Sequence, residues 1–476
     1  MHLTPPHDNS HGRSPDHSPD HSPSLIILGA GPKAVAVQAK AHALRQLGLS
    51  APRITVVDHQ GTGGNWRAGG GWTDGRHQLG TSPTKDVGFP YRTRIAGELN
   101  AAVDRELLAS GWTSFLIDTG RYAWWVDHGH PHPRHYLWAE YLRWAAGRTG
   151  MHLVTTQVTG IGLQDETTTG RSGWSLSVDR PDGASGRLEA DALMLTGPGR
   201  SDRRIAPLPN VYSVSGFWQD VSAGALPTAS RVAVIGGGET AASVVEELTH
   251  HDVVDIAVIS PLPTIFTRAE GPFENELYTD PTTWTDLDEA ARRDVIARCD
   301  RGVFSTDVQS RLAGEDRISH IRGRVASVRR SSSVDAVGGL GGTGLGGTDG
   351  ISGIEVRTDS GRTECVDLVV DARGNSPLWF TRMMDDRTVA HLVAACSGAV
   401  TTSAVESGIG ADLALENMDP PLFLPTLSGF RQGPGLANLS CLGELSDRIL
   451  AGLGAGDGTD PESLRHRTSP VERTLL

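Results

Sequence analysis

The chain has 476 residues, of which 38% are hydrophobic, so two or three domains are expected rather than one core. Its net charge of −13 argues against a nucleic-acid backbone as partner, because such sites need clustered Lys and Arg. No apolar run approaches the roughly 18 residues needed to cross a bilayer, and no secretory signal pattern is present, so we expect a cytoplasmic protein without a membrane span.

The chain starts with low-complexity sequence. The stretch SPDHSPDHSPS repeats Ser, Pro, Asp and His and has no apolar side chain to bury, which predicts a disordered tail over residues 1–23. His17 and His21 in this tail could bind a metal ion, but a solvated tail is the simpler interpretation. No His/Cys cluster elsewhere indicates a metal site, so we predict none.

A buried strand, SLIILGAG, follows at Ser24 and runs into a glycine turn. An alanine-rich helix is predicted over residues 34–47, and a second strand over residues 53–59. This order is the start of a βαβ unit.

The turn GAGPKA has the residues that a dinucleotide phosphate needs. Gly29 permits the tight turn, Gly31 lets the backbone approach a pyrophosphate, and Ala34 keeps helix and strand close. Asp58, at the end of the second strand, is placed to bind ribose hydroxyls. The first βαβ unit therefore predicts a dinucleotide site.

Residues 61–90 form a long segment rich in Gly, Trp and Thr. A loop of this length in a compact domain is usually functional or disordered, and Trp66 and Trp72 argue against disorder. Seven of the eleven tryptophans lie between Trp66 and Trp144. They either fill a core or stack beside a flat aromatic ligand, and the sequence leaves both interpretations open.

A second strand, turn and helix follow in VAVIGGGETAAS. Gly236, Gly238 and Ala241 repeat the spacing of the first turn, and Glu239 and Thr240 lie at the start of the predicted helix. All five are candidate cofactor-binding residues.

The strand after the second turn ends in Ser260 rather than in an acid. An acid there would favour NAD, and its absence leaves room for the 2′-phosphate of NADP. Arg268 lies nearby in the sequence and is a candidate to help bind that phosphate.

Two turns in tandem predict an α/β protein with two Rossmann-like dinucleotide-binding domains, and the economical pairing of their ligands is a flavin with a nicotinamide. The FAD domain is predicted over residues 24–205 and 374–450, and the NADPH domain over residues 206–373 with a glycine-rich loop at 338–350. Residues 451–476 lose periodicity and are predicted to be a disordered tail.

Some classes of flavoenzyme are disfavoured. The four cysteines, Cys299, Cys365, Cys396 and Cys441, form no C-x-x-C pair, which argues against a disulfide reductase or a zinc knuckle and fits a reducing cytoplasm. The segment YSVSGFWQD lacks the histidine typical of Baeyer–Villiger and classical flavin monooxygenases. An NADPH-dependent flavin oxidase or reductase and a dinucleotide-sensing binding protein remain as alternatives.

The chain resembles the flavin-dependent N-hydroxylating monooxygenases that act on ornithine or lysine side chains in siderophore biosynthesis. It is most similar to the L-lysine N6-monooxygenases of mycobactin and nocobactin assembly. The resemblance covers nearly everything from Ser24 to Leu450. It is carried by LGAGPKAVAVQAKA, GGWTDGRHQLGTSPTKDVGFPYR, RVAVIGGGETAAS, FTRAEGPFENELY, DRGVFS, NSPLWF and LFLPTLSGFRQGPGLANLSCLGELSDR.

The resemblance implies FAD on the first turn, NADPH on the second, a substrate site between the two domains, and hydroxylation of the N6 amine of L-lysine with O2 through a C4a-hydroperoxyflavin. Trp66, which could stack beside a flat ligand, is a further candidate cofactor-binding residue. It places Lys85 and Asn275 at the amino-acid substrate. Ser446 is implied near substrate and flavin. No side chain is expected to act as a direct acid or base.

The chain departs from the family at two places. Val303–Phe304 and Ser305 replace a segment in which ornithine hydroxylases have a second asparagine, and no arginine follows the second strand near Ser260. The sequence leaves open lysine against ornithine or acylated lysine, how the 2′-phosphate is held, and whether the chain forms a homo-oligomer.

Overall fold

The protein is described by a computed structural model that covers residues 23–164, 172–179, 183–199, 201–331 and 353–456. Its strands are β1 (Ser24–Leu28), β2 (Arg53–Asp58), β3 (Leu153–Thr155), β4 (Gln157–Leu163), β5 (Trp174–Asp179), β6 (Ser185–Ala190), β7 (Ala192–Leu195), β8 (Val211–Ser213), β9 (Arg231–Ile235), β10 (Asp255–Ser260), β11 (Phe266–Thr267), β12 (Val303–Phe304), β13 (Ile318–Arg322), β14 (Val325–Arg330), β15 (Ile354–Thr358), β16 (Thr363–Val366), β17 (Leu368–Asp371) and β18 (Leu422–Phe423).

The α-helices lie between these strands and after them. They are α1 (Pro32–Gln46), α2 (Asn100–Leu108), α3 (Trp112–Asp118), α4 (Tyr122–Asp127), α5 (His135–Arg148), α6 (Val214–Ala223), α7 (Glu239–Leu248), α8 (Pro272–Thr279), α9 (Glu289–Cys299), α10 (Thr306–Leu312), α11 (Asp386–Ala395), α12 (Thr402–Ser407), α13 (Gly429–Gln432), α14 (Pro434–Ala437) and α15 (Leu442–Gly452). None of the helices in the described ranges combines the length and apolarity that a bilayer crossing requires.

The first domain is built on a parallel five-stranded sheet in the order β18-β7-β1-β2-β3. The glycine-bearing strand β1 is central, and its segment SLIIL is apolar because helices cover both faces of such a sheet. Helix α1 packs against α2, α5 and α15. Ala34 and its neighbours on α1 are fully buried, which holds the helix close to the sheet.

The second domain repeats this arrangement. Its parallel sheet has the order β13-β10-β9-β17-β8, with the second glycine turn after the central strand β9. In both domains a three-stranded antiparallel sheet is inserted before the chain returns beside the central strand: β4-β5-β6 precedes β7, and β14-β15-β16 precedes β17. The two domains therefore share this arrangement, although the outer strand beside the returning strand comes last in the first domain (β18) and first in the second (β8).

The predicted elements agree closely with the observed ones at the first βαβ unit. The helix predicted over residues 34–47 is α1, and the strand predicted over 53–59 is β2. The tail predicted over 451–476 starts too early, because α15 continues to Gly452 and the Gly456 N–H donates to the Ser50 carbonyl at 2.9 Å. Residues 1–22, most of the predicted N-terminal tail, the loop at 338–350 and residues 457–476 lie outside the described residues.

A buried ion pair ties α1 to α15. Lys40 Nζ lies 2.7 Å from Asp447 Oδ1, and both side chains are at most 1% exposed. Lys40 also donates to Thr93 Oγ1 at 2.6 Å, and the Arg94 N–H donates to Asp447 Oδ2 at 2.8 Å. These hydrogen bonds offset the desolvation of the two charges, which would otherwise destabilise the fold.

Asp447→Asn should lower the free energy of unfolding by about 3 kcal/mol or more, because it leaves the Lys40 ammonium buried without a counter-charge. Denaturant unfolding followed by circular dichroism measures the change. Glu98→Gln, an exposed acid of the same domain, is the matched control and should change stability little. A loss below about 1 kcal/mol for Asp447→Asn would contradict this role of the pair.

Candidate active site between the two domains

Two adjoining cavities lie where the domains meet. The main cleft, of about 490 Å³, is lined by the first glycine turn, by the start of α7 and by the 61–90 segment, and the second cavity, of about 840 Å³, follows the second glycine turn. Five residues line both: Gly197, Pro198, Glu239, Thr240 and Asp300. A ligand extended along the second turn can thus reach the main cleft.

The first glycine turn has the geometry of a phosphate cradle. Gly29 has φ +103°, and a Cβ added there would lie 2.4 Å from Thr196 Oγ1, so only glycine fits. Gly31 is the N-cap of α1, and an added Cβ would meet no atom within 4 Å. The free N–H groups of α1 therefore face open space in the cleft, where a pyrophosphate fits.

Asp58 closes the first turn from the end of β2. Its Oδ2 accepts from the Ala30 N–H at 2.9 Å and its Oδ1 from the Gln60 N–H at 2.7 Å. The carboxylate also lines the main cleft. The predicted contact of Asp58 with a ribose remains a prediction, and the side chain is positioned for it.

The second glycine turn is as tightly constrained. Gly236 has φ +142°, and an added Cβ would lie 2.4 Å from the Ala372 carbonyl oxygen. Gly238 is the N-cap of α7, and Ala241 on the first turn of α7 is fully buried. Thr240 lines both cavities, so the second turn also fits a dinucleotide phosphate.

Arg268 does not lie where the sequence suggested. Its Nη2 is 3.1 Å from Glu239 Oε1 in the main cleft, and Arg268 is not among the residues that line the second cavity. The prediction that it holds a 2′-phosphate is therefore not supported by this geometry, because the guanidinium is already paired with Glu239. Arg301 and Arg324, which sequence reasoning did not single out, border the second cavity instead.

Ser260 packs directly under the second glycine turn. A Cβ added to Gly237 would lie 3.2 Å from Ser260 Cβ, so a longer acid at this position would crowd the turn. The Ser260 hydroxyl lies 3.0 Å from His320 Nε2. The short side chain at the end of β10 thus places no carboxylate beside the second glycine turn.

Two of the three predicted substrate residues meet across the domain boundary. Lys85, in the 61–90 segment of the first domain, donates from Nζ to Asn275 Oδ1 at 2.8 Å. Asn275, on α8 of the second domain, is oriented by donating from Nδ2 to the Glu270 carbonyl at 2.6 Å. Both side chains line the main cleft, 190 residues apart in the sequence.

The third predicted substrate residue, Ser446, is placed elsewhere. It lies inside α15, is fully buried and donates its hydroxyl to the Leu442 carbonyl at 2.8 Å. It does not line the cleft, so its predicted substrate contact is not supported by this geometry. The segment just before the helix reaches the cleft instead, through Asn438, Leu439 and Ser440.

Ser446→Ala should change the KM for the amine substrate by less than about twofold, because the hydroxyl is satisfied within its own helix. Ser440→Ala, in the cleft wall, is the comparison and should change KM more. Steady-state kinetics with the amine as the varied substrate measure both. A larger effect at Ser446 would show that the helix moves when substrate binds.

The tryptophans divide between the two interpretations that the sequence left open. Trp112 and Trp138 are fully buried and pack together, with ring centroids 5.9 Å apart. Trp66 and Trp72 line the main cleft. The first pair fills the core, and only the second pair is placed to contact a flat ligand.

Charges around the cleft are shifted by burial. Burial lowers the pKa of the Lys85 ammonium, although Glu270 acts in the opposite direction. Burial likewise lowers the pKa of Lys33 to about 8, against the effect of Asp300. Burial and the neighbouring His77 lower the pKa of His135 to about 3, so this ring is neutral.

His77 forms the main polar contact between the 61–90 segment and α7. Its Nδ1 lies 3.2 Å from Glu246 Oε2 and its Nε2 lies 3.4 Å from Glu247 Oε2. Burial would lower the pKa of His77, but hydrogen bonds to the two carboxylates raise it to about 9. Arg311 pairs with the same Glu246 and donates to Gln78 Oε1 at 3.0 Å.

The fold and the cleft together define an oxidoreductase of the flavoprotein type, with two Rossmann-like dinucleotide-binding domains and a small-molecule site between them. The α/β fold class predicted from the sequence is confirmed. Residues 110–312 match the L-lysine 6-monooxygenase/L-ornithine 5-monooxygenase family. The chain is also 46% identical over 452 residues to the L-lysine N6-monooxygenase MbtG of Mycobacterium sp. strain MCS, which covers 93% of this chain and 99% of the relative.

The chain therefore belongs to the L-lysine 6-monooxygenase/L-ornithine 5-monooxygenase family. Among solved structures it is similar to the lysine monooxygenase NbtG from Nocardia farcinica, with 45% identity, a TM-score of 0.76, and coverage of 90% of this chain and 98% of that one. The ornithine N-hydroxylase KtzI of Kutzneria sp. 744 shares the fold, with 17% identity, a TM-score of 0.66, and coverage of 91% and 99%.

Proposed function

We propose that the protein is an FAD- and NADPH-dependent monooxygenase that hydroxylates the N6 amine of L-lysine with O2, in the cytoplasm, for hydroxamate siderophore biosynthesis. The observation that carries the proposal is the contact of Lys85 with Asn275 in the main cleft, between the two dinucleotide turns. The Lys85 ammonium can receive the α-carboxylate of an amino acid, and the Asn275 amide beside it is uncharged. The mycobacterial and nocardial relatives, named as lysine monooxygenases, support the choice of amine.

The residues around the two turns fit the proposed cofactors. The open space at Gly31 and the nearby Asp58 suit the pyrophosphate and ribose of FAD, beside Trp66 in the main cleft. Gly238 and Thr240 suit the pyrophosphate of NADPH along the second cavity. The bound flavin would accept a hydride from the nicotinamide and activate O2 for transfer of one oxygen atom to the amine.

Lys85 has a defined task in this scheme. Its ammonium would bind the α-carboxylate of lysine by a charge-assisted hydrogen bond, and Asn275 would hold Lys85 in place from the second domain. Because Lys85 is partly buried, this bond gains strength from the low local dielectric. The carboxylate end of the substrate is thereby fixed.

The amine end must be neutral to react. A free ε-ammonium has a pKa of about 10.4, so near pH 7.4 deprotonation costs about 4 kcal/mol. Burial of the amine beside neutral groups lowers this cost, whereas a carboxylate beside it would raise it. Ser440 is an uncharged group of the cleft wall that suits this requirement, whereas Asn438 is hydrogen-bonded to the Asp300 carboxylate.

Product analysis tests the proposed function. Purified protein with FAD, NADPH and O2 is offered L-lysine, L-ornithine, N6-acetyl-lysine and cadaverine, and hydroxylated amine is measured by mass spectrometry alongside hydrogen peroxide. We expect N6-hydroxylysine from L-lysine in a stoichiometric ratio to NADPH consumed. Hydrogen peroxide alone with every amine would identify a flavin oxidase instead. Preferential hydroxylation of ornithine would identify an L-ornithine 5-monooxygenase.

A further inference from the structure

The residues around His77 offer more metal-ligand atoms than the ion pairs between His77 and α7 use. Asp74, His77 and Glu247 each offer one ligand atom, and these three atoms lie within 4.8 Å of one another. Asp74 and His77 belong to the 61–90 segment of the first domain, whereas Glu247 belongs to α7 of the second. Glu247 lies 170 residues from His77 in the chain, so no local sequence pattern indicates this cluster.

We propose that Asp74, His77 and Glu247 form a binding site for a divalent transition-metal ion of the zinc type, which bridges the two domains at the edge of the main cleft. One imidazole nitrogen and two carboxylate oxygens are a ligand set that Zn²⁺ accepts, with water at the fourth position.

The distances suit such an ion. His77 Nε2 and Glu247 Oε2 are 3.4 Å apart. Two ligands at about 2.05 Å from a tetrahedral zinc ion are separated by about 3.4 Å, so these two atoms need not move for an ion to bind. The Asp74 side chain is mostly buried, and Asp74 Oδ1 accepts from the Arg76 N–H at 2.7 Å, which fixes the carboxylate.

The orientation of His77 is set as in known zinc sites. Its other ring nitrogen, Nδ1, faces Glu246 Oε2 at 3.2 Å, and Glu246 is held by Arg311, whose Nη2 donates to the same oxygen at 3.1 Å. A carboxylate on the second nitrogen orients a ligating imidazole and strengthens its metal bond. The Arg311 guanidinium also offsets the negative charge of Glu246.

Each carboxylate around the cluster already has a cationic neighbour. Glu246 pairs with Arg311, Glu247 Oε1 lies 3.0 Å from His251 Nε2, and Asp74 Oδ2 lies 3.7 Å from Arg76 Nε, so a bound divalent ion would share these carboxylates with the side chains already present. His77 and Glu246 both line the main cleft, so an ion has a path of entry. Since its ligands come from both domains, the bound ion would hold the domains in this relative position.

Zinc titration of the full-length, FAD-loaded protein tests the site. The parent for all measurements carries His2→Gln, His7→Gln, His11→Gln, His17→Gln and His21→Gln, because the five N-terminal histidines offer a separate place for zinc. Isothermal titration with ZnCl2 and thermal unfolding with and without zinc are compared for this parent, for Glu247→Gln and for Asp74→Asn. Asp74→Asn leaves the His77 contacts with Glu246 and Glu247 in place and is therefore the safer variant for folding.

We expect one zinc ion per chain and a higher melting temperature with zinc in the parent, since an ion bound only by the folded chain stabilises it. Each variant should bind zinc at least about tenfold more weakly and lose the shift in melting temperature. Co²⁺ in place of Zn²⁺ should give the visible absorption of a four-coordinate ion. Equal zinc affinity in the parent and in both variants would overturn the proposal, as would a parent that binds no zinc, and either result would leave His77 as an ion-pair contact between the domains.

Discussion

Lys85→Ala should reduce kcat/KM for L-lysine by about 100-fold, mainly through KM, while FAD remains bound and NADPH is still oxidised. The substitution removes a partly buried cation that would receive the substrate carboxylate, and the loss of one partner of such a pair costs about 3 kcal/mol. Without this anchor the amine is held less firmly, so more NADPH should end as hydrogen peroxide and less as hydroxylated product.

The measurement separates binding from chemistry. Initial rates with varied L-lysine give kcat and KM, and the ratio of product to NADPH gives the coupling. Arg105→Ala removes an exposed cation of α2 in the same domain and should leave all three values unchanged. An unchanged KM in Lys85→Ala would exclude Lys85 from the substrate site. Asn275→Ala should show a smaller loss in the same direction, because it frees Lys85 without removing the charge.

Gly236→Ala should slow reduction of the bound flavin by NADPH by at least about 100-fold. The added Cβ would lie 2.4 Å from the Ala372 carbonyl oxygen, and φ of +142° is unfavourable for alanine. Relieving the steric clash and the unfavourable φ requires the second turn to move, at a cost of about 3 kcal/mol or more. The phosphate-binding N–H groups of α7 move with the turn. The first turn is in the other domain, so FAD content should stay at the wild-type value.

Stopped-flow reduction by NADPH, with dithionite reduction as the reference, measures this effect. Dithionite needs no nucleotide site and should reduce the variant as fast as the wild type. Gly314→Ala is the matched control, because its added Cβ would meet no atom within 4 Å and its backbone is unstrained. Loss of FAD from Gly236→Ala, or a normal rate with NADPH, would contradict the assignment of the second turn to the nicotinamide cofactor.

The parts of this fold that follow from short stretches of sequence were predictable. A strand, a glycine turn, a helix and a second strand occupy consecutive residues in each domain, so β1, α1 and β2 could be located within two residues. The order of strands in the sheets could not be read in this way, because β18 pairs with β7 across more than 220 residues.

The residues of the cleft likewise divide into those that a short stretch of sequence predicts and those that it does not. Lys85 and Asn275 entered the prediction only through the resemblance to a family, since nothing local relates two residues 190 positions apart. The predicted substrate contact of Ser446 is not supported by this geometry, because a motif fixes residue types and not the face of a helix. Asn438, Leu439 and Ser440, before α15 begins, line the cleft instead. Arg268 is near Ser260 in the sequence, but its guanidinium turns to Glu239 in the main cleft.

The discontinuity of the first domain has a consequence for protein synthesis. Strand β18 and helix α15 complete that domain, and α15 carries the partner of Lys40, yet they are translated roughly 400 residues after β1. At about 5–20 residues per second, some 20–80 seconds pass between the synthesis of β1 and the synthesis of β18, the last strand of the first sheet. The second domain is continuous in the chain and can form in that interval, so the sheet of the first domain is the one that stays incomplete longest during synthesis.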